Sequence, residues 1–425
     1  MCAGRPSQRW LCAKDMTERL YYHDSFLHEF DAEVREAVPA SNSRIAIVLD
    51  RTAFYPTSGG QVFDTGEIIP SGTDAPPFRV SEVMERDDGA ILHLVETAPL
   101  PEKGTRVRGL IDVGRRRDHM QQHSGQHVLS AAFVRLFNMP TVSFHMGADY
   151  CSIDLDAKSL NRQQVESAER LANDVVSEDR PVEVRFVTQQ VARTLGLRKL
   201  PPVERDELRL IEIHEFDLSA CGGTHVKGTS QIGCILLRKV EKVRHGWRVE
   251  FVCGKRAITT ARQDYLTLAE ASGLLSVQLT SVPEQIKKLQ EESRAARKSV
   301  EHLMEEFAGV YAEKLLAETP QSNGIRAIPH VFPDHDLTFI KLLARRLTRQ
   351  SSAAIALLAA TSGQPALVFA QSPSLPFDMG ALMKEALAQV GGRGGGNKDM
   401  AQGGPLRLEL VEVTLNSFAN RLRSG

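Results

Sequence analysis

The sequence predicts a protein of the α+β class. Short apolar runs separated by Gly, Pro and Asp fill the first quarter of the chain, which is typical of strands joined by tight turns. Helix and strand patterns are then mixed, and a long segment without proline carries apolar residues at intervals of seven. The predicted boundaries are 1–16 for a disordered extension, 17–113 for a small antiparallel β-barrel, 114–255 for an α+β domain, 256–320 for a helical arm and 321–425 for a small α/β domain.

The composition indicates an intracellular globular protein. The 425 residues are enough for about two to four domains, and the formal net charge of −1 neither supports nor excludes RNA as a partner. The six cysteines form no CxxC pair, which favours a reducing cytoplasm over a disulfide framework. No apolar run reaches the ~20 residues of a membrane span, and no secretory signal is found, so we expect no membrane. The sequence does not decide whether translation starts at Met1 or at Met16.

The first quarter of the chain predicts the barrel. Three segments, 44–49, 79–83 and 105–111, alternate apolar and polar residues, as half-buried strands do. Pairs of Gly, Pro and Asp residues between them mark turns. Short strands with frequent turns favour a small antiparallel barrel.

The second domain predicts helices packed with an antiparallel sheet. A helix is expected over 118–137, and proline at 140 disfavours the helical conformation in the residue before it. Further elements are predicted as a helix at 162–177, strands at 182–187 and 208–213, and a hairpin with strands at 232–243 and 247–252.

A long helix is predicted over 284–317. The segment contains no proline, and two sets of mostly apolar residues are each spaced by seven. Such a seam predicts a helical hairpin arm or a coiled coil ~50 Å long at 1.5 Å per residue. The arm is either a linker between domains or a functional element, namely a homodimer contact or a spacer of fixed reach, and the sequence favours neither. The C-terminal domain is a second candidate for a homodimer contact.

The last segment predicts a small α/β domain with a basic surface. Apolar runs at 353–360 and 366–370 are typical of buried strands, with helices on either side. The first of these helices is basic, and a glycine-rich loop at 391–404 carries further cations. A basic run alone is usually a solvated face, but beside this loop it predicts a surface that contacts phosphates. The predicted RNA contacts are Lys341, Arg345, Arg346, Arg393 and Lys398.

Two pairs of metal-capable side chains are each spaced four residues apart. His123 and His127 lie in a predicted helix, where residues i and i+4 share one face, so they can bind one ion. Cys221 and His225 lie in a glycine turn after a predicted strand. Three imidazoles and a thiolate favour Zn²⁺, and the alternatives are an accidental histidine pair beside an unrelated cysteine, or a purely structural zinc. His119, one turn before His123, is either a hydrogen-bonding partner of the metal ligands or a surface residue, and we favour the surface.

These residues belong to a series of motifs that resembles one family. The series comprises FYPTSGGQVFDTG at 54–66, two arginines at 115–116, the histidine pair and CGGTHV at 221–226. In this order they resemble the editing domain of alanyl-tRNA synthetase and its free-standing relatives, the AlaX alanyl-tRNA editing proteins. GGRGGGNKDMAQ at 391–402 resembles the glycine-rich signature of the DHHA1 domain, which makes the long AlaX type the best match. Together the motifs cover nearly the whole chain after residue 16.

The resemblance implies a substrate and a reaction. It implies a trans-editing enzyme that hydrolyses mischarged Ser-tRNA(Ala), with Gly-tRNA(Ala) as a second candidate, and that lacks aminoacylation because no ATP-binding domain precedes the editing segment. Residues 114–255 would then form a zinc-binding editing domain. Zinc would polarise the ester or activate water, or would position the substrate. The competing functions are an RNA-binding module with a structural zinc and a zinc hydrolase of a small ester or amide.

The resemblance also implies roles for single residues. It places Gln61 toward the acyl pocket, whereas the residues alone are equally consistent with a plain β-turn. Thr57 and Ser58, close by in the chain, would bind a seryl hydroxyl. A site that pairs with a hydroxyl rejects the alanyl ester, which lacks it. The resemblance adds Arg116 to the predicted RNA contacts.

Overall fold

The computed structural model describes residues 17–424, apart from 42–43, 73–74, 97–98, 199–206 and 362. The predicted extension at 1–16 lies outside the described residues. The chain forms two compact units that divide between Ala269 and Glu270. The mixed α+β class is confirmed, while the five domain boundaries stay predictions. Within the described ranges, no helix combines the length and apolarity needed to cross a bilayer.

The first unit begins with a closed antiparallel barrel. Its strands follow one another in the order β2-β3-β7-β6-β5-β8, and β1 and β4 pair separately as a short parallel ribbon. Val34, Ile47, Ile68 and Ile91 fill the interior and are fully buried. The predicted small antiparallel barrel is therefore confirmed. The strands are β1 (Glu18–Arg19), β2 (Glu29–Pro39), β3 (Ile45–Leu49), β4 (Arg51–Thr52), β5 (Gly66–Pro70), β6 (Phe78–Glu85), β7 (Ile91–Val95) and β8 (Arg106–Ile111).

Two antiparallel sheets and a central helix follow the barrel. One sheet has the order β14-β15-β10-β9 and the other β11-β12-β13. The elements are α1 (Val113–Phe137), β9 (Thr141–Met146), β10 (Cys151–Leu155), α2 (Arg162–Ser177), β11 (Val182–Thr188), α3 (Gln189–Thr194), β12 (Glu207–Ile213), β13 (Asp217–Ala220), β14 (Ile235–Val243), β15 (Gly246–Cys253) and α4 (Gly254–Leu275).

Helix α1 lies in the interior of the part of the first unit that follows the barrel. Its N-cap is Asp112, whose carboxylate accepts the backbone N–H of Arg115 at 3.0 Å. It ends at Asn138, which adopts the left-handed conformation common at helix C-termini. Every residue from His119 to Phe133 is buried, because barrel, sheets and loops surround the helix. The predicted helix is thus confirmed, but it begins at Val113, earlier than expected.

The second unit is a five-stranded sheet covered on both faces. The strand order is β16-β17-β18-β20-β19, and β16 pairs in parallel with β17 while the other pairs are antiparallel. α5 and α6 pack on one face, and α7 and α8 pack on the other. The elements are α5 (Val282–Glu318), β16 (Arg326–Phe332), α6 (Leu337–Gln350), β17 (Ala354–Ala360), β18 (Ala366–Gln371), α7 (Met379–Val390), β19 (Gly392–Gly396), β20 (Met400–Pro405) and α8 (Val411–Ser424).

Two features of the second unit differ from the sequence-based expectation. The glycine-rich segment is not a loop, because β19 and β20 form a hairpin at the edge of the sheet. The long helix α5 is confirmed, but residues of its predicted seam are exposed, including Leu303 at 61% and Val310 at 67%. Ala308, Ala312 and Leu315 are the buried residues of α5 in the cluster that it shares with α6, and Phe307 and Tyr311 also contact Phe339 of α6. The linker and homodimer alternatives for the arm stay predictions.

Candidate metal centre

The four predicted metal ligands lie together in one buried cluster. His123 and His127 project from α1, and Cys221 and His225 come from the turn after β13. Their ligand atoms all lie within 4.8 Å of one another. The Sγ atom of Cys221 is 3.4 Å from Nε2 of both His123 and His225. The donor set and its compactness match what Zn²⁺ requires.

The glycine turn allows this close packing. A Cβ atom on Gly223 would lie 2.1 Å from Cε1 of His123, so the backbone rests directly on the imidazole ring. The neighbouring Gly222 is different, since a Cβ atom there would meet only the Tyr22 hydroxyl, at an ordinary 3.5 Å. Glycine is therefore required for space at the second position of the turn and not at the first.

Each imidazole has a separate hydrogen-bonding partner on Nδ1. Such partners orient a metal-binding imidazole, and an acceptor at Nδ1 keeps the proton there and leaves the Nε2 lone pair for the ion. Two of the partners are acceptors, an amide oxygen and a carboxylate, and the third is a hydroxyl. The pairs are Gln61 Oε1 with His123 at 2.7 Å, Asp217 Oδ2 with His127 at 3.1 Å, and Ser124 Oγ with His225 at 3.1 Å.

Asp217 is itself held in place as a carboxylate. The guanidinium of Arg198 donates to it at 2.8 Å, and the hydroxyl of Ser219 donates at 2.9 Å. Burial alone would raise the pKa of Asp217, but the hydrogen bond with His127 and the charge of Arg198 lower it to about 2. The group is therefore ionised at neutral pH and accepts a hydrogen bond from the N–H at Nδ1 of His127.

Two of the four side chains have pKa shifts that suit a metal. Burial raises the pKa of the Cys221 thiol, but the neighbouring His123 and His225 outweigh this and hold it well below its usual value. Burial, followed by the charge of His123, lowers the pKa of His225 to about 3. A thiolate beside a neutral imidazole is the form in which cysteine and histidine side chains bind zinc in proteins. His127 differs, because burial lowers its pKa but hydrogen bonds to Asp217 and Cys221 outweigh this and raise it.

Gln61 is fully buried and contacts the cluster instead of solvent. Its Oε1 also accepts the backbone N–H of Thr224 at 3.1 Å, and its Nε2 donates to Thr224 Oγ1 at 2.9 Å. Thr224 is a site residue that the sequence did not reveal. Thr57 and Ser58 lie exposed on the same loop, and their hydroxyls make no hydrogen bond to other described residues. A role of these residues in the acyl pocket stays a prediction.

Arg116 is not available to RNA, and its prediction as an RNA contact is wrong. Its side chain is fully buried and paired with the equally buried carboxylate of Asp64 at 2.5 Å. The remaining N–H groups donate to the carbonyls of Ser25 and Ala53. The expectation for His119 is also wrong, since it is 1% exposed and burial lowers its pKa to about 4.

The other predicted RNA contacts are in the second unit. Arg345, Arg393 and Lys398 are exposed, while Lys341 is half-buried. Arg346 lies 3.5 Å from the carboxylate of Glu305 on α5. Their contact with RNA stays a prediction.

The chain is similar to known proteins over nearly its whole length. It is 32% identical to the alanyl-tRNA editing protein AlaX-L of Pyrococcus horikoshii, over 96% of this chain and 100% of that protein. The chain belongs to the family of AlaX alanyl-tRNA editing proteins. It is also 31% identical to an alanine–tRNA ligase of Archaeoglobus fulgidus and 32% identical to one of Pyrococcus abyssi. AlaX proteins and these ligases thus share a region, which spans 43% and 44% of the two ligases.

Three family descriptions match successive parts of this AlaX chain. Class II (A) tRNA synthetases match residues 8–115, and the threonyl and alanyl tRNA synthetase second additional domain matches 208–249, which includes the Cys221 turn. The DHHA1 domain matches 338–422. The family predicted from the motifs is therefore confirmed. A crystal structure of the C-Ala domain of Aquifex aeolicus alanyl-tRNA synthetase matches 23% of this chain and 88% of that one at 21% identity, with a TM-score of 0.21.

Proposed function

We propose that this chain is a trans-editing aminoacyl-tRNA deacylase that depends on zinc and hydrolyses Ser-tRNA(Ala), with Gly-tRNA(Ala) as a second substrate. The observation that carries the proposal is the buried cluster of three imidazoles and one thiolate in a chain of the AlaX family. A tRNA(Ala) bearing the wrong amino acid is the proposed partner, and the family name supports this choice.

The residues of the proposed site have two roles, namely to bind the metal and to orient its ligands. His123, His127, Cys221 and His225 would hold the metal. Bound Zn²⁺ supplies Lewis acidity, which polarises an ester carbonyl or lowers the pKa of water. Gln61 and Asp217 orient the imidazoles of α1 through Nδ1.

The number of ligands raises a second candidate function. Four protein ligands fill a tetrahedral site, and a filled site is typical of structural zinc. The chain would then be an RNA-binding protein without hydrolytic activity. We favour the deacylase, with one ligand position, His225 or Cys221, exchangeable for water or substrate.

The proposed acyl specificity rests on two hydroxyl groups that are available for hydrogen bonding. Thr57 and Ser58 lie exposed in the loop whose Gln61 contacts His123, and neither hydroxyl has a hydrogen-bonding partner among the described residues. A pocket that pairs with a seryl hydroxyl leaves its own polar groups unpaired when an alanyl ester binds. Ser-tRNA(Ala) would therefore be cleaved and Ala-tRNA(Ala) spared.

A deacylation assay tests the function directly. We expect the full-length protein to hydrolyse Ser-tRNA(Ala) much faster than Ala-tRNA(Ala). Tight binding of tRNA(Ala) without cleavage of any mischarged form would favour the RNA-binding alternative. Cleavage of free seryl esters at the same rate as Ser-tRNA(Ala) would instead indicate a small-ester hydrolase.

Removal of the thiolate tests the metal. We expect Cys221→Ala to lower zinc content and deacylation together, because the ion loses its only sulfur ligand. Zinc per chain is measured by elemental analysis after gentle purification, and deacylation is measured on the same sample. His245→Ala, which removes an exposed histidine outside the cluster, is the matched control and should retain both. A metal-free wild-type protein with full activity would contradict the zinc dependence.

A further inference from the structure

The segment that carries Gln61 is a loop closed at its base. We define the Gln61 loop as residues 55–64. Tyr55 and Asp64 hydrogen bond to each other twice, through the backbone of Asp64 to the carbonyl of Tyr55 at 3.0 Å and through the backbone N–H of Tyr55 to Asp64 Oδ2 at 2.7 Å. Ser58 and Gln61 form a tight turn at the tip. The loop therefore has a fixed base and a short, ordered tip.

Arg116 fastens the base of this loop to α1. Its guanidinium donates twice to the carboxylate of Asp64 and once to the carbonyl of Ala53, just before the loop. Both charged side chains are fully buried. A further bond, to the carbonyl of Ser25 at 2.8 Å, reaches a separate segment at the entrance to the barrel. One helical side chain thus binds three segments of the barrel domain.

The tip of the loop reaches the same helix two turns further on. Arg116 and His123 are seven residues apart, which places them on one face of α1. At the tip, Gln61 Oε1 lies 2.7 Å from Nδ1 of His123. Gly60 brings the tip close to β9, where a Cβ atom would lie 2.6 Å from the carbonyl oxygen of Phe144. The loop is therefore held between two fixed points on α1 and one on β9.

We propose that the Arg116–Asp64 ion pair is a positioning device for the metal centre, which acts by holding Gln61 against His123. This inference rests on the proposed zinc function. It adds a role for two residues outside the cluster. Arg116 and Asp64 are fully buried and contact none of the four proposed metal ligands, so we treat them as positioning residues and not as catalytic ones.

The chemistry of the pair favours this role over simple stabilisation. A buried ion pair usually adds little net stability compared with apolar side chains of the same volume, because both charges lose their hydration. Its directional hydrogen bonds, in contrast, fix orientation. Asp64 Oδ2 accepts from both Arg116 and Tyr55, so the charge pair and the closure of the loop share one carboxylate. Loss of the pair loosens the loop without removing any ligand.

The test uses the full-length protein and a charge-balanced double variant. Arg116→Met with Asp64→Asn leaves no unpaired buried charge, and the asparagine oxygen can still accept the N–H of Tyr55. We expect zinc affinity, measured by competition with a chromophoric chelator, to fall about 10–100-fold, the effect typical of lost outer partners of a metal-binding histidine. We expect Gln61→Ala to lower it by a similar factor. Combining Gln61→Ala with the double variant should lower zinc affinity no further than either change alone.

A second measurement does not require metal or activity. Nitrogen-15 NMR of the imidazoles in metal-free protein reports which nitrogen of His123 carries the proton. We expect a proton on Nδ1 in the wild type and a mixture of tautomers in the double variant. A role confined to stability would not move this equilibrium in folded protein. The control is Arg256→Met with Asp118→Asn, which breaks another ion pair of α1 and should change neither readout.

The outcomes are distinct. Unchanged zinc affinity and an unchanged His123 tautomer in the folded double variant would overturn the inference. The inference would also be overturned if the double variant and Gln61→Ala together lowered zinc affinity by the product of their separate effects. The ion pair would then act independently of Gln61. A wild-type protein that binds no zinc would refute the proposed metal function, and the tautomer of His123 would still decide whether the pair positions Gln61.

Discussion

At the scale of single residues, the backbone of Gly223 sets how closely the turn approaches His123. A methyl group there would lie 2.1 Å from the ring carbon Cε1 and 2.9 Å from Gln61 Oε1. We expect Gly223→Ala to push His123 away from the cluster and to lower zinc affinity by about tenfold or more. Overpacking of this kind costs about 1–3 kcal/mol in the free energy of unfolding.

The preceding glycine provides the comparison for this prediction. Gly222→Ala adds the same methyl group one position earlier, where the nearest atom is at contact distance. Zinc affinity and the denaturation midpoint of the metal-free protein should both stay near wild-type values. Equal effects of the two substitutions would show that the turn is sensitive to any side chain and that the contact with His123 is not the cause.

The ligands could be identified from the sequence, but their partners could not. The spacing of four identified His123 and His127 because it has a direct geometric meaning on a helix. Cys221 and His225 were identified as a metal-capable pair around a glycine turn. Asp217 lies 90 residues from His127, and no local pattern links them. The burial of Arg116 could not be predicted either, because an arginine in a helix is usually solvated. The one available hint was the run of polar residues along α1, which has no wide apolar stripe.

At the scale of elements, the glycine-rich hairpin shows why some of its residues lack side chains. A Cβ atom on Gly394 would lie 2.4 Å from the carbonyl oxygen of Gln402 and 2.8 Å from Leu387 of α7. A Cβ atom on Gly395 would meet no atom within 4 Å. The first glycine allows β19, β20 and α7 to pack together, whereas the second faces open space.

This difference predicts two unlike outcomes for the same substitution. Gly394→Ala should destabilise the second unit by about 1–3 kcal/mol, because backbone atoms must move. Gly395→Ala should change stability by less than about 0.5 kcal/mol, as surface substitutions usually do. Hydrogen exchange of the β19 and β20 amides, measured by mass spectrometry, separates the two cases. Faster exchange in Gly395→Ala than in Gly394→Ala would contradict the packing argument.

Elements with a clear period were predicted well, and glycine-rich ones were not. α2 begins and ends where the sequence placed it, since its apolar residues recur at helical spacing. The hairpin of β19 and β20 was taken for a loop because glycine has no side chain to show a strand period. Long-range pairing with β18 determines its conformation, and a local pattern does not contain that information.

At the scale of the whole molecule, the two units carry different proposed tasks. All four metal ligands lie in the first unit, and five of the six predicted RNA contacts lie in the second. We expect Arg393→Gln combined with Lys398→Gln to weaken binding of tRNA(Ala). Each lost phosphate contact should reduce the slope of log affinity against log salt by roughly one. Single-turnover deacylation at saturating protein should stay within about tenfold of wild type, near 1.4 kcal/mol in barrier height.

An exposed arginine elsewhere controls for the loss of a surface cation as such. Arg162→Gln removes a cation from α2, where its side chain is 91% exposed and paired with Glu166. The Arg162→Gln variant should bind tRNA(Ala) with nearly the wild-type affinity, and the slope of log affinity against log salt should match that of the wild type. An unaltered salt slope in the Arg393 and Lys398 variant would show that the hairpin is not an RNA contact. The exposed seam of α5 would then favour the homodimer alternative for the second unit.

The separation of the two ligand pairs along the chain has a consequence for biosynthesis. His123 precedes Cys221 by 98 residues, so at about 5–20 residues per second the ribosome completes the second pair about 5–20 s after the first. During that interval the histidine pair has no thiolate beside it, and nitrogen ligands bind Cu²⁺ more tightly than Zn²⁺. Under the proposed zinc function, the nascent chain would therefore be open to a competing metal during this interval. Selection for zinc would begin when the thiolate is added.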